Sequence, residues 1–169
     1  MNKTRIEWCD YTWNPVTGCL NGCDYCYARR IAMRFQGGFK PRFHPERLVE
    51  PRRLRKSQTI FVCSMGELFA PWMPQQWIQE VFYACAQAPW HRYLFLTKSP
   101  DGLRRMPRWK HNMWAGTTID RGRNGALDSL RAVAANRFVS FEPLLADEPR
   151  DLSGIDWVII GAQTGPGAK

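Results

Sequence analysis

The sequence predicts an α/β fold: six strands in a mostly parallel sheet, curved into an open, partial TIM-type (β/α)6 barrel. Three observations predict it. Short β-branched and aromatic runs recur along the chain, separated by stretches of helical spacing or loop composition. Six such units in 169 residues average about 28 residues each, close to one strand–helix repeat of a barrel, and eight would not fit. Residues with chemistry cluster just after the strand-like runs, where a sheet of this kind builds its site.

Taken in order, a weakly marked strand at Arg5–Cys9 leads into a cysteine-rich loop, and Ala28–Phe35 follows as a short helix. Thr59–Ser64 (TIFVCS) is the second strand. Pro74–Ala88 is a helix, with proline near its start and Trp77, Ile78, Val81, Phe82 and Cys85 at helical spacing. The strands Arg92–Thr97 (RYLFLT) and Asn112–Thr117 (NMWAGT) flank an irregular or short-helical link at Pro100–Trp109. Ala126–Ala135 carries Leu127, Leu130 and Val133 on one helical face and precedes the strand Arg137–Phe141 (RFVSF). After a further link, Leu144–Ser153, comes the sixth strand, Trp157–Gly161 (WVIIG).

That last run is apolar on both faces, as a strand inside a parallel sheet should be. Only Gly161–Lys169 follows it, too short for a crossover helix. The chain therefore reads as one domain, residues 1–169, shortened after its sixth strand, which has an open edge and the least protection.

A hydrophobic content of 44% with eight tryptophans excludes a disordered chain. No apolar run approaches membrane-span length, and Met1–Asn14 has no apolar core after a basic start. No membrane association is expected. The expected compartment is a reducing cytoplasm, where six cysteines serve as thiols or metal ligands rather than disulfides. Charge is uneven. Between Arg29 and Lys56 ten Lys/Arg face only Glu46 and Glu50, which accounts for eight of the net nine positive charges. With Phe35, Phe39 and Phe43 interleaved, this stretch reads as a contact for nucleic acid or another polyanion, or else as a solvated connection whose arginines stack on the protein's own rings.

The loop Thr17–Ala28, TGCLNGCDYCYA, holds Cys19, Cys23 and Cys26. Three is the wrong number for a disulfide framework, and a structural zinc needs a fourth ligand, for which Cys9, His44 and Cys63 are the candidates. No second C-x-x-C or histidine pair accompanies the loop. A [4Fe–4S] cube held by three thiolates leaves one iron open for an exogenous ligand. Gly18 and Gly22 permit the tight turns needed to wrap a small object. Cys63 and Cys85 read as packing thiols, and Cys9 as the extra thiol nearest the site.

The segment Cys19-Leu-Asn-Gly-Cys23-Asp-Tyr-Cys26 resembles the C-x3-C-x-aromatic-C loop of the radical S-adenosylmethionine (radical SAM) superfamily. The blocks IEWCDYTWNPVTGC, FKPRFHPERL, IFVCSMGELF, LFLTKSP, NMWAGTT, FVSFEPLL and DWVIIGAQTGPGA, in that order, are similar to its phage-associated three-Cys-motif proteins. The resemblance implies that Cys19, Cys23 and Cys26 bind a [4Fe–4S] cluster and that Tyr25 lies against the adenine of SAM. Met65-Gly66-Glu67 stands where many members have Gly-Gly-Glu for the methionine amino group, which implies a cofactor contact at Gly66 and Glu67. The implied chemistry is one-electron cleavage of SAM to methionine and a 5′-deoxyadenosyl radical, which takes hydrogen from a substrate. An electron donor of the reductase or flavodoxin/ferredoxin type and a dedicated protein partner are implied with it. The family normally continues past the Gly-x-x-x-Gly-Pro-Gly block.

Each strand-end residue has a second reading. Glu67 accepts from SAM's ammonium or caps its own turn. Lys98 meets SAM's carboxylate or a substrate anion, or pairs with Glu142. Thr117 and Ser140 hydrogen-bond ribose or carboxylate, Glu142 is held extended by Pro143, and Gly161–Gly165 is a nucleotide-edge loop. Trp8, Trp13 and Trp114 read as core. The expected function is that of a radical SAM enzyme on a nucleic acid or nucleotide-like substrate. The alternative is a non-catalytic, zinc-containing nucleic-acid-binding module.

Overall fold

The computed structural model describes residues 1–106, 108–120, 125–145 and 151–162. In chain order it contains β1 (Asn2–Lys3), β2 (Tyr11–Trp13), β3 (Val16–Thr17), α1 (Tyr27–Gln36), β4 (Arg42–Phe43), α2 (Glu50–Arg53), β5 (Thr59–Val62) and α3 (Gln75–Ala86). Then follow β6 (Arg92–Thr97), β7 (Met113–Thr118), α4 (Ala126–Arg131), β8 (Asn136–Phe141) and β9 (Trp157–Ile160). Pro45–Arg47 and Pro100–Arg105 are 3-10 turns, the second realising the short-helical link.

The main sheet runs β1-β2-β5-β6-β7-β8-β9. From β2 to β9 each neighbour is parallel and the order is that of the chain, which makes six parallel strands, five of them where the sequence predicts. Two short antiparallel additions complete it: β1 on the β2 edge, and a separate β3–β4 ribbon.

One expected strand is misplaced. Arg5–Cys9 forms no strand; Cys9 N–H turns back to Ile6 O at 3.3 Å, and the first parallel strand is Tyr11–Trp13. Burial decides this. Cys9, with Ile6 and Trp8, packs against Phe61, Leu94 and Phe138 on the inner face of the sheet, so the apolar residues that imitate a strand serve as its cover.

Strand alternation sorts the side chains onto two faces. Ile60, Val62, Tyr93, Phe95, Met113 and Ala115 point outward and meet Ile78, Val81, Phe82 and Cys85 of α3 in the main core. Pro74 precedes α3 in extended conformation, so the helix begins where a missing N–H costs nothing. The opposite set, Phe61, Leu94 and Phe138, lines the inside of the curve. Gly116 lies in register with Phe138, whose ring would stand 2.3 Å from any Cβ there. α4 is shorter than the periodicity predicts and ends at Arg131. Among the described residues no helix is long and apolar enough to cross a membrane.

Candidate functional site

Two loops at the carboxyl ends of the strands are stitched together by backbone. Gly18 N–H donates to Met65 O at 2.8 Å, and Glu67 N–H to Gly18 O at 3.3 Å. Asn14, just after β2, accepts from Met65 N–H at 2.8 Å through Oδ1. The approach is close: a Cβ on Gly66 would lie 3.1 Å from Val16 O. Gly18 is required twice over, because its φ is +88° and a Cβ there would stand 2.2 Å from Lys40 O. Gly22, at φ +70°, makes the next turn. Cys26 then caps α1, its Sγ accepting from Arg29 N–H at 3.3 Å.

The result is a cavity of about 670 Å³ whose wall includes Cys19, Cys23, Cys26 and Tyr25 from the loop. Gly66, Glu67, Lys98, Thr118, Ser140 and Glu142 complete it from the strand ends. All three cysteines are free thiols. Burial pushes the Cys19 thiol up to about 11, opposed by the Asn21 N–H that donates to its sulfur. Among the described residues no three His, Cys, Asp or Glu side chains converge on the position of a single metal ion. An iron–sulfur cluster spreads its thiolates over different irons. Three soft thiolates opening on one cavity suit such a group. The cavity also holds an open polar group: Ser140 is 1% exposed, and its hydroxyl has no hydrogen-bond partner among the described residues.

The remaining expected residues divide. Glu67 caps its turn: Oε1 accepts from Phe69 N–H at 3.1 Å and from the Thr97 hydroxyl at 2.5 Å, while Oε2 accepts from Lys98 N–H at 2.8 Å. Lys98 pairs with Asp120, at 2.6 Å. Thr117 does not face the cavity, since its hydroxyl donates to Thr97 O at 3.1 Å. The two-residue period brings Thr118 to the cavity instead. Gly161 leaves room for Glu142, whose carboxyl carbon would be 2.9 Å from a Cβ there. Gln163, Thr164 and Gly165 lie outside the described residues.

Three expectations about neighbours change. Cys63 is on the cavity wall and Cys9 is not; burial pushes the Cys63 thiol up to about 12. Cys63 adopts φ +58°, a left-handed conformation that costs a non-glycine residue on the order of 1 kcal/mol. His44 stands apart, its Nε2 2.9 Å from the Thr17 hydroxyl. Trp13 is core, but Trp8 reaches the cavity. Asn14 and Thr118 on the cavity wall, and Asp120 paired with the cavity-lining Lys98, are the groups that sequence reasoning missed. A carboxylate three residues past the expected end of the strand Asn112–Thr117 was the available signal for Asp120.

The basic stretch spans α1, β4 and α2. Arg29, Arg30, Arg34, Arg52, Arg53, Arg55 and Lys56 are exposed. Arg34 lies 5.2 Å over the Phe35 ring. Arg47 is turned inward and donates to Asn14 O at 2.9 Å. Phe43 stacks on Trp77, with ring centres 5.4 Å apart. Part of the stretch is therefore structural and part is presented to solvent.

Solved structures of spore photoproduct lyase are similar to this chain. A cysteine-to-serine variant matches with a TM-score of 0.62 at 13% identity, over 87% of this chain and 49% of that one. The complex with dinucleoside spore photoproduct matches at 0.58 and 13%, over 86% and 49%. A double variant with AdoMet and the dinucleoside spore photoproduct bound matches at 0.53 and 14%, over 87% and 49%. The chain spans about half the length of these structures, and the likeness shows a shared partial-barrel fold. No curated protein matches the chain. The family model described as "Protein of unknown function (DUF5131)" matches residues 3–169, and the chain belongs to that family.

Proposed function

We propose that the chain is a radical SAM enzyme that holds a [4Fe–4S] cluster through Cys19, Cys23 and Cys26. The observation that carries this reading is that the three cysteines open onto one cavity with the carboxyl ends of β6, β7 and β8. Similarity of fold to a lyase solved with AdoMet bound supports it. The cluster, once bound, would supply the electron that cleaves the sulfonium carbon–sulfur bond of SAM.

The chain's own residues bind and orient the cosubstrate. The Gly66 backbone lies close to the cysteine loop, and Glu67 faces the cavity as an acceptor for SAM's ammonium. Its bonds to Phe69 and Lys98 N–H hold that carboxylate still. The Ser140 hydroxyl, with Thr118 beside it in the β7–β8 register, donates to a ribose or carboxylate oxygen. The Lys98 ammonium sits at the hydroxyl end of the Tyr25 ring, 4.5 Å from its centre, and adenine would lie against a face of that ring. Glu142 lines the cavity, and Gly161 leaves room for its side chain. The substrate class we favour is nucleic acid or a nucleotide-like molecule, brought by the exposed arginines of Arg29–Lys56. A reductase or a flavodoxin/ferredoxin-type donor, a dedicated protein partner, a phage-associated setting and a cytoplasmic location complete the proposal.

Anaerobic reconstitution with iron and sulfide tests it. The expected product is a brown protein with about four irons per chain, which after reduction converts SAM to methionine and 5′-deoxyadenosine. A colourless protein that takes one zinc and leaves SAM intact would instead establish the zinc-containing nucleic-acid-binding module.

A further inference from the structure

Tyr25, Lys98 and Asp120 come from three separate segments and meet at one wall of the cavity. Lys98 Nζ donates to Asp120 Oδ2 at 2.6 Å. It also donates to the Tyr25 hydroxyl, which in turn donates to the same Asp120 oxygen. The side chains of Lys98 and Asp120 are 16% and 6% exposed, so water screens these charge-assisted contacts little.

The two halves of the cysteine loop are held differently. In the first half the backbone does it: Gly18 N–H reaches Met65 O, and Cys19 N–H reaches Phe39 O at 3.0 Å. In the second half the backbone bond from Cys26 N–H to Cys23 O, 3.4 Å, is local, and side chains make the long-range ties: the Tyr25 phenol between the two cysteines and, one residue past Cys26, the Tyr27 hydroxyl, which donates to Ser64 O at 2.8 Å. Tyr25 lies between two of the three cysteines, so pinning its phenol places both.

We infer that Asp120 is a positioning residue for the cysteine loop: through Lys98 and the Tyr25 hydroxyl it fixes the Cys23–Cys26 turn against the ends of β6 and β7. Asp120 touches none of the cysteines. Its carboxylate pairs with the largely buried ammonium and accepts from the phenol, and removing it takes a charge-assisted partner from Lys98 and an acceptor from Tyr25. The role holds whichever metal group the cysteines take, so it stands apart from the proposed function.

Amide hydrogen exchange on the full chain before any metal is loaded tests this. Tyr25→Phe and Asp120→Ala should each speed exchange at Gly22–Cys26 about tenfold, the effect of losing one charge-assisted hydrogen bond. The double variant should be no faster than the quicker single one, because both act in one chain of contacts. Amides of Ile60–Val62 should not change, although a general loss of stability would speed them too. Should Asp120→Ala fail to fold, Tyr25→Phe, which deletes one oxygen, and Asp120→Asn, which keeps the shape without the charge, carry the same test. After reconstitution with iron and sulfide, these variants should release iron to a chelator about tenfold faster than the unaltered chain. Loop exchange equal to that of the unaltered chain in Tyr25→Phe and Asp120→Asn, or additive effects in the double variant, would overturn the inference. Because exchange is read without metal, that result would leave the radical SAM reading standing.

Discussion

Gly18 shows how a single residue can govern a site it does not line. Its positive φ and the Lys40 carbonyl, 2.2 Å from where a Cβ would be, leave no room for a side chain. Gly18→Ala should destabilise the fold by about 1–3 kcal/mol, read from the urea midpoint, because backbone rather than a flexible side chain must yield. The cysteines separate by role in the same way. Replacing Cys19, Cys23 or Cys26 by alanine should abolish iron uptake with little loss of stability. Cys85→Ala, in the main core at 0% exposure, should keep iron uptake and cost about 1–2 kcal/mol. A Cys23→Ala protein with full iron content would refute the ligand set. His44 adds a pH dependence. Burial, then Arg47, holds its imidazole below the ordinary value of 6.5, so the unfolded chain binds the proton more readily. Stability should therefore fall as pH drops below 6.5, and His44→Asn should flatten that slope in urea titrations at successive pH values.

At the scale of elements, α1 and α2 carry the exposed charge. α1 is capped by Cys26 and has no acidic residue in its first turn, and α2 ends in Arg52 and Arg53. If this side meets a nucleic acid, binding should weaken steeply as salt is added, through release of counterions. Charge reversal at the exposed Arg52, Arg53 and Arg55 should flatten that dependence. Filter binding across a salt series measures both. Arg47 should be left out of such a set, because its hydrogen bond to Asn14 O supports the loop itself.

The whole sheet has unequal ends. β5 is paired on both sides and covered by α3, while among the described residues β9 is paired only with β8, and Ile160 is 70% exposed. Amides of Trp157–Gly161 should exchange much faster than those of Ile60–Ser64 in a monomer. Equal protection would mean that another element or a second copy covers the β9 edge.

Local periodicity was enough to fix five of the parallel strands, the α3 face and the close spacing of the three cysteines, because alternation and cysteine spacing are properties of the chain itself. Arg5–Cys9 misled, since apolar residues that cover a sheet and residues that form one obey the same burial. Thr117 and Thr118 are one residue apart, and only the register of β7 against its neighbours decides which of them meets the cavity. From sequence, Lys98 was assigned SAM's carboxylate, a substrate anion or Glu142, and the fold supplied another partner, Asp120, because an ion pair depends on distance through space. The spacing of the loop's three cysteines is therefore written in the sequence. The loop's geometry, the clamp from Asp120 to Tyr25 included, exists only once the strand ends have been brought side by side.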